Sequence, residues 1–201
     1  MLRNYLLIAF RNLIRQKSLS FINILGLSLG LACTILILFW VLDELNYDRF
    51  NENIDNLYRV EENQHYSSGV YHVNVTPYPS GPVWEEGIPE IQNATRLNWV
   101  GGLLFQVNDR YFYENNLKAV DSSFFEMFTF PLIHGNPETA LNEPFSIVLT
   151  KEMAQKYFDT DNPIGQSISV NNQYEFTVKG IVDEVPKNSW IQFDALVPLI
   201  F

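Results

Sequence analysis

The longest feature in the hydrophobic pattern runs from Leu19 to Leu42, LSFINILGLSLGLACTILILFWVL, 24 residues without a charged side chain. As an α-helix this stretch is roughly 36 Å long. The hydrocarbon core of a bilayer is about 30 Å thick and takes about 20 apolar residues to cross. The pattern therefore predicts a transmembrane helix. A buried helix of a soluble protein would show a polar face. A cleaved signal peptide would have a shorter apolar run and a small-residue cleavage site, and here Asp43 and Glu44 follow instead.

Before this run, LRNYLLIAFRNLIRQK puts apolar side chains at 2, 5, 6, 9, 10 and 13, one face of a helix. Arg3, Arg11 and Arg15 lie largely off that face. A basic amphipathic helix of this kind lies in the membrane interface; the alternative is a plain extension of the transmembrane helix. Ser18 and Ser20 supply cap-type residues at the expected bend.

After the run the period changes. Leu45, Phe50, Ile54 and Leu57 suit a short helix leaving the membrane, LYRVE then alternates as a strand does, and VYHVNV (70–75) reads as a second strand. The proline-rich residues 76–82 form a loop, and a short helix starts at Ser80 with Pro82 in its first turn. GLLFQVND and RYFYEN alternate and pair as strands. Residues 117–141 predict a strand, a turn at Asp121-Ser122-Ser123, a short helix carrying Phe124, Phe125, Met127 and Phe128, and a second short helix from Asn136-Pro137. SIVLT is a strand, and Thr150 caps the helix KEMAQKYF with Met153, Ala154, Tyr157 and Phe158 inward. Gly165 follows a turn, and residues 166–182 form a hairpin turning at Asn171-Asn172, with a last strand in FDALVPL. The sum is an α+β protein: an interfacial helix (1–17), a transmembrane helix (18–43) and a mixed outer domain (44–201).

Charge orients this arrangement. Residues 1–42 carry Arg3, Arg11, Arg15 and Lys17 and no acid; the remaining 159 residues carry 9 basic and 23 acidic side chains. The basic end stays in the cytoplasm, which sends the acidic domain outward. So acidic a domain also argues against a nucleic-acid partner. The single cysteine, Cys33, lies inside the span, so no intramolecular disulfide forms and the outer domain holds by packing.

Within the span, Gly26 and Gly30 form G-x-x-x-G, with Thr34 next along the same face. Small residues at this spacing let a second helix approach closely. Asn23, in lipid, calls for a hydrogen-bond partner on a neighbouring helix. Both features point to packing against helices outside this sequence. Asp43, Glu44, Tyr47, Asp48 and Phe50 begin the stalk that follows.

Catalytic signatures are missing. No sequence matches a phosphate-binding loop, H-E-x-x-H or G-x-S-x-G. His65, His72 and His134 are scattered; His65 and His72 flank a turn and read as exposed strand residues, a meeting across the hairpin being the alternative. Asp159, Asp161 and Asn162 suggest a calcium loop, but Pro163 and Val170 stand at required ligand positions. No catalytic residue, cofactor or metal is expected. Asn74-Val75-Thr76 and Asn93-Ala94-Thr95 match the glycosylation acceptor pattern.

Taken together, several stretches resemble the MacB/FtsX-type ABC transporter permeases, in particular those with a MacB-like periplasmic core domain. They are the opening MLRNYLLIAFRNLIRQKSLSFINILGLSLGLACTILILFWVLDELNYDRFNENIDNLYRV, then AVDSSFFEMFTFPLIHGNPETAL, IVLTKEMAQKYFDTDNPIGQSISV and FTVKGIVDEVPKNSWIQFDALVPL. They cover most of the chain in the family's order. The resemblance implies a bacterial inner-membrane protein with a cytoplasmic N-terminus. Its periplasmic domain would have a porter-like part and a strand-rich sabre part, with further transmembrane helices after it. Such permeases work as dimers and transmit motion driven by a cytoplasmic ABC ATPase, in some cases to a periplasmic adaptor and an outer-membrane channel. The ATPase that MacB carries ahead of its first helix is not in this sequence, so ATP hydrolysis would come from a separate subunit. The apolar end at Phe201, without a polar tail, points to a piece of a longer protein. Two other classes compete: a single-pass tethered binding or sensor module, which predicts a complete protein of about this length, and a membrane-anchored enzyme, which needs a convergent site the sequence does not offer.

Overall fold

The structure, a computed structural model, describes residues 2–199, and in the first helix it does not describe the side chains of Leu2, Arg3, Leu6 and Ala9. The predicted apolar positions 2, 6 and 9, the off-face placement of Arg3 and the apolar end at Phe201 therefore lie outside the described residues. The chain divides between Tyr47 and Asp48 into two compact units.

The first unit is helical. Helix α1 is Leu2–Arg15 and α2 is Lys17–Leu45. They are separate helices, because Gln16 leaves helical geometry at φ −108° and ψ 58°. The bend is thus earlier than the serines predicted to cap it. Ser18 and Ser20 lie inside α2, and the Ser20 N–H already donates to Gln16 O (3.0 Å). On α1, Tyr5, Phe10 and Leu13 are exposed. Helix α2 is 29 residues long, strongly apolar, and buries none of its described side chains. Length and composition suit it to cross a membrane.

The expected helix over 45–57 does not form. Helix α2 stops at Leu45, turns occupy 46–50, and a single 3-10 turn spans Ile54–Asn56. Asp48 takes a left-handed backbone at φ 56°. Asn and Asp side chains favour such turns because they bond to nearby backbone, as Asn51 Nδ2 does to Asp48 O (3.0 Å).

The second unit is mixed. Its strands are β1 (Glu62–Tyr66), β2 (Gly69–Val73), β3 (Leu97–Val100), β4 (Leu103–Val107), β5 (Arg110–Glu114), β6 (Leu117–Val120), β7 (Leu132–Gly135), β8 (Ser146–Thr150), β9 (Ser167–Val170), β10 (Tyr174–Val182) and β11 (Ala195–Pro198). Its helices are α3 (Ser80–Gly87), α4 (Phe124–Met127) and α5 (Lys151–Phe158). Strands β1 and β2 form a separate antiparallel hairpin. The others form one mixed sheet in the order β3-β6-β11-β8-β10-β9-β4-β5, with β7 on the far half of β10. The β6–β11 and β8–β10 pairs are parallel. Strand β1 begins at Glu62, later than LYRVE predicted. The second helix expected at Asn136 is a run of turns instead: Asn136 Oδ1 accepts from Glu138 N (2.9 Å), and Pro144 soon follows.

Period-two alternation sorts side chains onto two cores. Leu117 and Ala119 enter one, Val120 the other; Ile147 and Leu149 oppose Val148; Ala195 and Val197 oppose Leu196. Strand β10 changes parity midway: Phe176 and Val178 share a core with Ile181. A bulge between Val178 and Gly180 explains this, since the extra residue shifts the alternation by one. Helix α5 covers the first core with Met153, Ala154 and Tyr157, and Thr150 caps it by accepting from Met153 N (3.3 Å). The three-residue turn between Val170 and Tyr174 has Asn171 and Asn172 at positive φ (53° and 54°), a backbone that asparagine tolerates.

Gly135 ends β7 at φ 94°, and a Cβ there would land on the backbone carbonyl of Lys179 and lie 2.9 Å from Gly180 Cα. Gly135→Ala therefore meets both a disfavoured backbone and rigid neighbours. We expect it to lower unfolding stability by about 2–3 kcal/mol, read by thermal or urea unfolding of the full chain.

Candidate functional site: the anchored segment after the long helix

The predicted site residues lie on α2 and in the segment that follows it. On α2, Asn23, Gly26, Gly30 and Thr34 are all exposed. Their spacing of three and four residues lines them along one face. A Cβ on Gly26 or Gly30 would meet nothing within 4 Å, so the stripe is open for a neighbour's backbone. Thr34 Oγ1 donates to Gly30 O (2.8 Å), which satisfies the hydroxyl within the helix. Asp43 and Glu44 lie exposed in the last turn, and their carbonyls accept from Asn46 N (3.1 Å) and Tyr47 N (3.2 Å).

In the second unit, residues 48–59 are bound to two distant loops. Asp48 N donates to Asn188 O (2.8 Å), and Asp48 Oδ1 accepts from Trp190 N (2.9 Å). Phe50 meets Phe130 edge-on, with centroids 5.3 Å apart. Asn51 is buried at 4% exposure; its amide donates to Asp48 O and accepts from Thr129 N, both at 3.0 Å. Glu52 N donates to Thr129 Oγ1 (3.0 Å). Asn53 Nδ2 donates to Glu126 O and Met127 O (3.4 Å each). The Arg59 guanidinium stacks on Trp190 at 4.1 Å. The segment thus reaches the α4 loop and the 186–190 loop at once.

Of the predicted stalk residues, Asp48 and Phe50 join this network. Asp43, Glu44 and Tyr47 fall in the first unit. Asn51, Asn53, Arg59, Thr129 and Trp190 were not singled out from sequence. The Asn-rich run DRFNENIDN signals backbone-bonding side chains, but nothing local names partners 78 or 142 residues away. His65 and His72 are exposed strand residues of β1 and β2, as expected, and do not meet: His65 stands opposite Val70, and His72 bonds Asn63 Oδ1 (2.9 Å) and Glu61 Oε2 (2.6 Å). Among the described residues no cluster of histidine, cysteine or acid could hold a metal ion.

The family model for the MacB-like periplasmic core domain matches residues 20–200. No curated protein matches the chain. Three solved structures are similar. A domain of a protein named as a permease, from Porphyromonas gingivalis, has 24% identity and a TM-score of 0.52, covering 60% of this chain and 51% of its own. The periplasmic region of MacB from Actinobacillus actinomycetemcomitans has 19% identity and a TM-score of 0.47, covering 59% and 53%. The extracellular domain of the noncanonic ABC-type transporter YknZ, from Gram-positive bacteria, has 15% identity and a TM-score of 0.43, covering 57% and 58%. The matches span between half and three fifths of each of those chains. The first of them establishes the shared mixed fold, and the family model covers nearly the whole sequence. The chain belongs to the MacB-like periplasmic core domain family, the outer-domain family of MacB/FtsX-type permeases.

Proposed function

We propose that this chain is part of the permease subunit of an ABC transporter, and that it transmits cytoplasmic ATP-driven motion through α2 to the outer domain. The observation that carries this reading is the anchoring of residues 48–59, directly after the long helix, to two separate loops of the sheet domain. A tether that only held a domain at the membrane would need no such fixation. In this reading α1 lies in the cytoplasmic interface and the acidic domain lies in the periplasm. The stripe of Asn23, Gly26, Gly30 and Thr34 packs against other membrane helices, and two permease copies work with a separate ABC ATPase. The work delivered is efflux, lipoprotein release or envelope regulation, with an adaptor and outer-membrane channel as further partners.

Two outcomes are expected. In a Cys33→Ala background, a cysteine at Glu90 reacts with an impermeant maleimide added from the periplasmic side, and one at Gln16 does not. Second, Gly26→Leu with Gly30→Leu leaves membrane insertion intact but reduces recovery of the ATPase with the tagged natural protein by about tenfold, equivalent to about 1.4 kcal/mol. Reversed labelling, or a purified protein that carries no ATPase at all, sinks the proposal.

A further inference from the structure

Lys118 sits where the fold calls for an apolar residue. On β6 it alternates with Leu117 and Ala119, and so shares a face with Val120. Its register partners are Leu196, fully buried, and Trp99. Among the described residues it makes no ion pair within 4 Å, whereas Arg59, Arg96, Arg110, Lys156 and Lys179 each do. Its ammonium instead lies 5.5 Å from the Trp99 ring. Burial pushes its pKa down, with Asp194 opposing. A cation held at a partly desolvated place without a bonded anion is a site that an anion improves.

The space in front of it has the matching shape. A cleft of about 300 Å³ is lined by Leu97, Asn116, Lys118, Trp190, Ile191 and Gln192. Leu97 and Ile191 give it an apolar floor, continuous with the second core. The Trp190 ring is about half exposed and forms a wall. Gln192 spends both amide N–H groups on Pro186 O and Ser189 O (2.8 and 2.9 Å), and Asn116 spends one of its two on Asp194 Oδ1 (3.2 Å). Asn116 therefore keeps one N–H as a donor. One cation, one amide donor, an indole wall and an aliphatic floor fit a molecule with one carboxylate on a compact apolar body.

We infer that this cleft binds a small amphipathic carboxylate, its anionic group on Lys118 and its apolar body between Trp190 and Ile191. The inference does not depend on a role in transport. It also places the ligand against the same 186–190 loop that holds Asp48 and Arg59.

The test uses N-acetyl-phenylalanine and its neutral carboxamide on the full chain in nanodiscs, with ¹⁵N-labelled tryptophan. Trp190→Phe assigns the Trp190 indole resonance. The carboxylate should move that resonance saturably, with a Kd of about 1 mM. The carboxamide and Lys118→Gln should each weaken binding about tenfold, while Lys187→Gln, at an exposed lysine of the same loop, leaves it unchanged. No saturable shift up to twentyfold that concentration overturns the site. So does an equal response to the carboxamide, which needs no variant to fold.

Discussion

Phe124→Ala should cost the outer domain about 3–5 kcal/mol of unfolding free energy. Phe124 is fully buried in the second core. Its ring stacks on Phe130 at 5.6 Å and 10°, meets Phe193 edge-on at 6.2 Å, and touches Phe125 and Phe128 at 5.3 and 5.1 Å. Truncation removes the centre of this cluster and leaves a cavity that four rigid rings cannot collapse into. Domains of this size are stable by about 5–15 kcal/mol, so the loss consumes a large share. Phe124→Leu, which refills most of the space, should lose less. Because Phe130 also receives Phe50, the alanine variant should loosen the segment after α2 as well. Urea unfolding of the full chain, followed by the near-UV signal, reads the first effect. A double-mutant cycle between Phe124 and Phe50 reads the second: a coupling of zero would show that the aromatic cluster and the anchored segment are independent.

The second large effect is expected at Asn51. Asn51→Ala strands one half-buried partner, the Thr129 N–H, whereas the Asp48 carbonyl keeps the Asn51 backbone N–H (3.1 Å). Leaving such a polar group unsatisfied costs about 1–3 kcal/mol. The sheet core is untouched, so the loss should be local. Amide hydrogen exchange at Thr129 and Glu52 should accelerate by at least about tenfold, the factor matching about 1.4 kcal/mol. Exchange along β8 and β10 should stay near its original rate. Asn51→Asp keeps an acceptor for Thr129 N but loses the donor to Asp48 O, and should fall between the two. Uniform acceleration across the sheet would mean that Asn51 supports the whole fold rather than the anchored segment.

What the sequence disclosed followed periodicity. The long apolar helix was legible because an unbroken apolar run has few other uses. The β4–β5 and β9–β10 hairpins, the cap at Thr150 and the phenylalanines of α4 were legible because their signals are local. The helix expected after Leu45 failed because apolar spacing at 45, 50, 54 and 57 was outweighed by asparagines that bond backbone. The helix expected at Asn136 failed for the same reason. The parity change in β10 depends on one extra residue at Lys179, which no alternation pattern announces. The anchored segment was legible only in part. Asp48 and Phe50 stood out by position, but Thr129, Asn188 and Trp190 come to them through the fold of the whole sheet. Lys118 is a subtler case: a lysine in a short strand reads as surface until its register partner proves to be Leu196.

The most direct test of mechanical transmission is a distance between the outer domains of two permease copies during ATP turnover. Spin labels at Glu90→Cys, in a Cys33→Ala background, would be measured in nanodiscs with the ATPase present, in the ATP-free and vanadate-trapped states. Trapping should shift the mean distance by several ångströms, and Asn51→Ala should abolish the shift while ATP hydrolysis continues. An unchanged distance in a complex that hydrolyses ATP at full rate would contradict it.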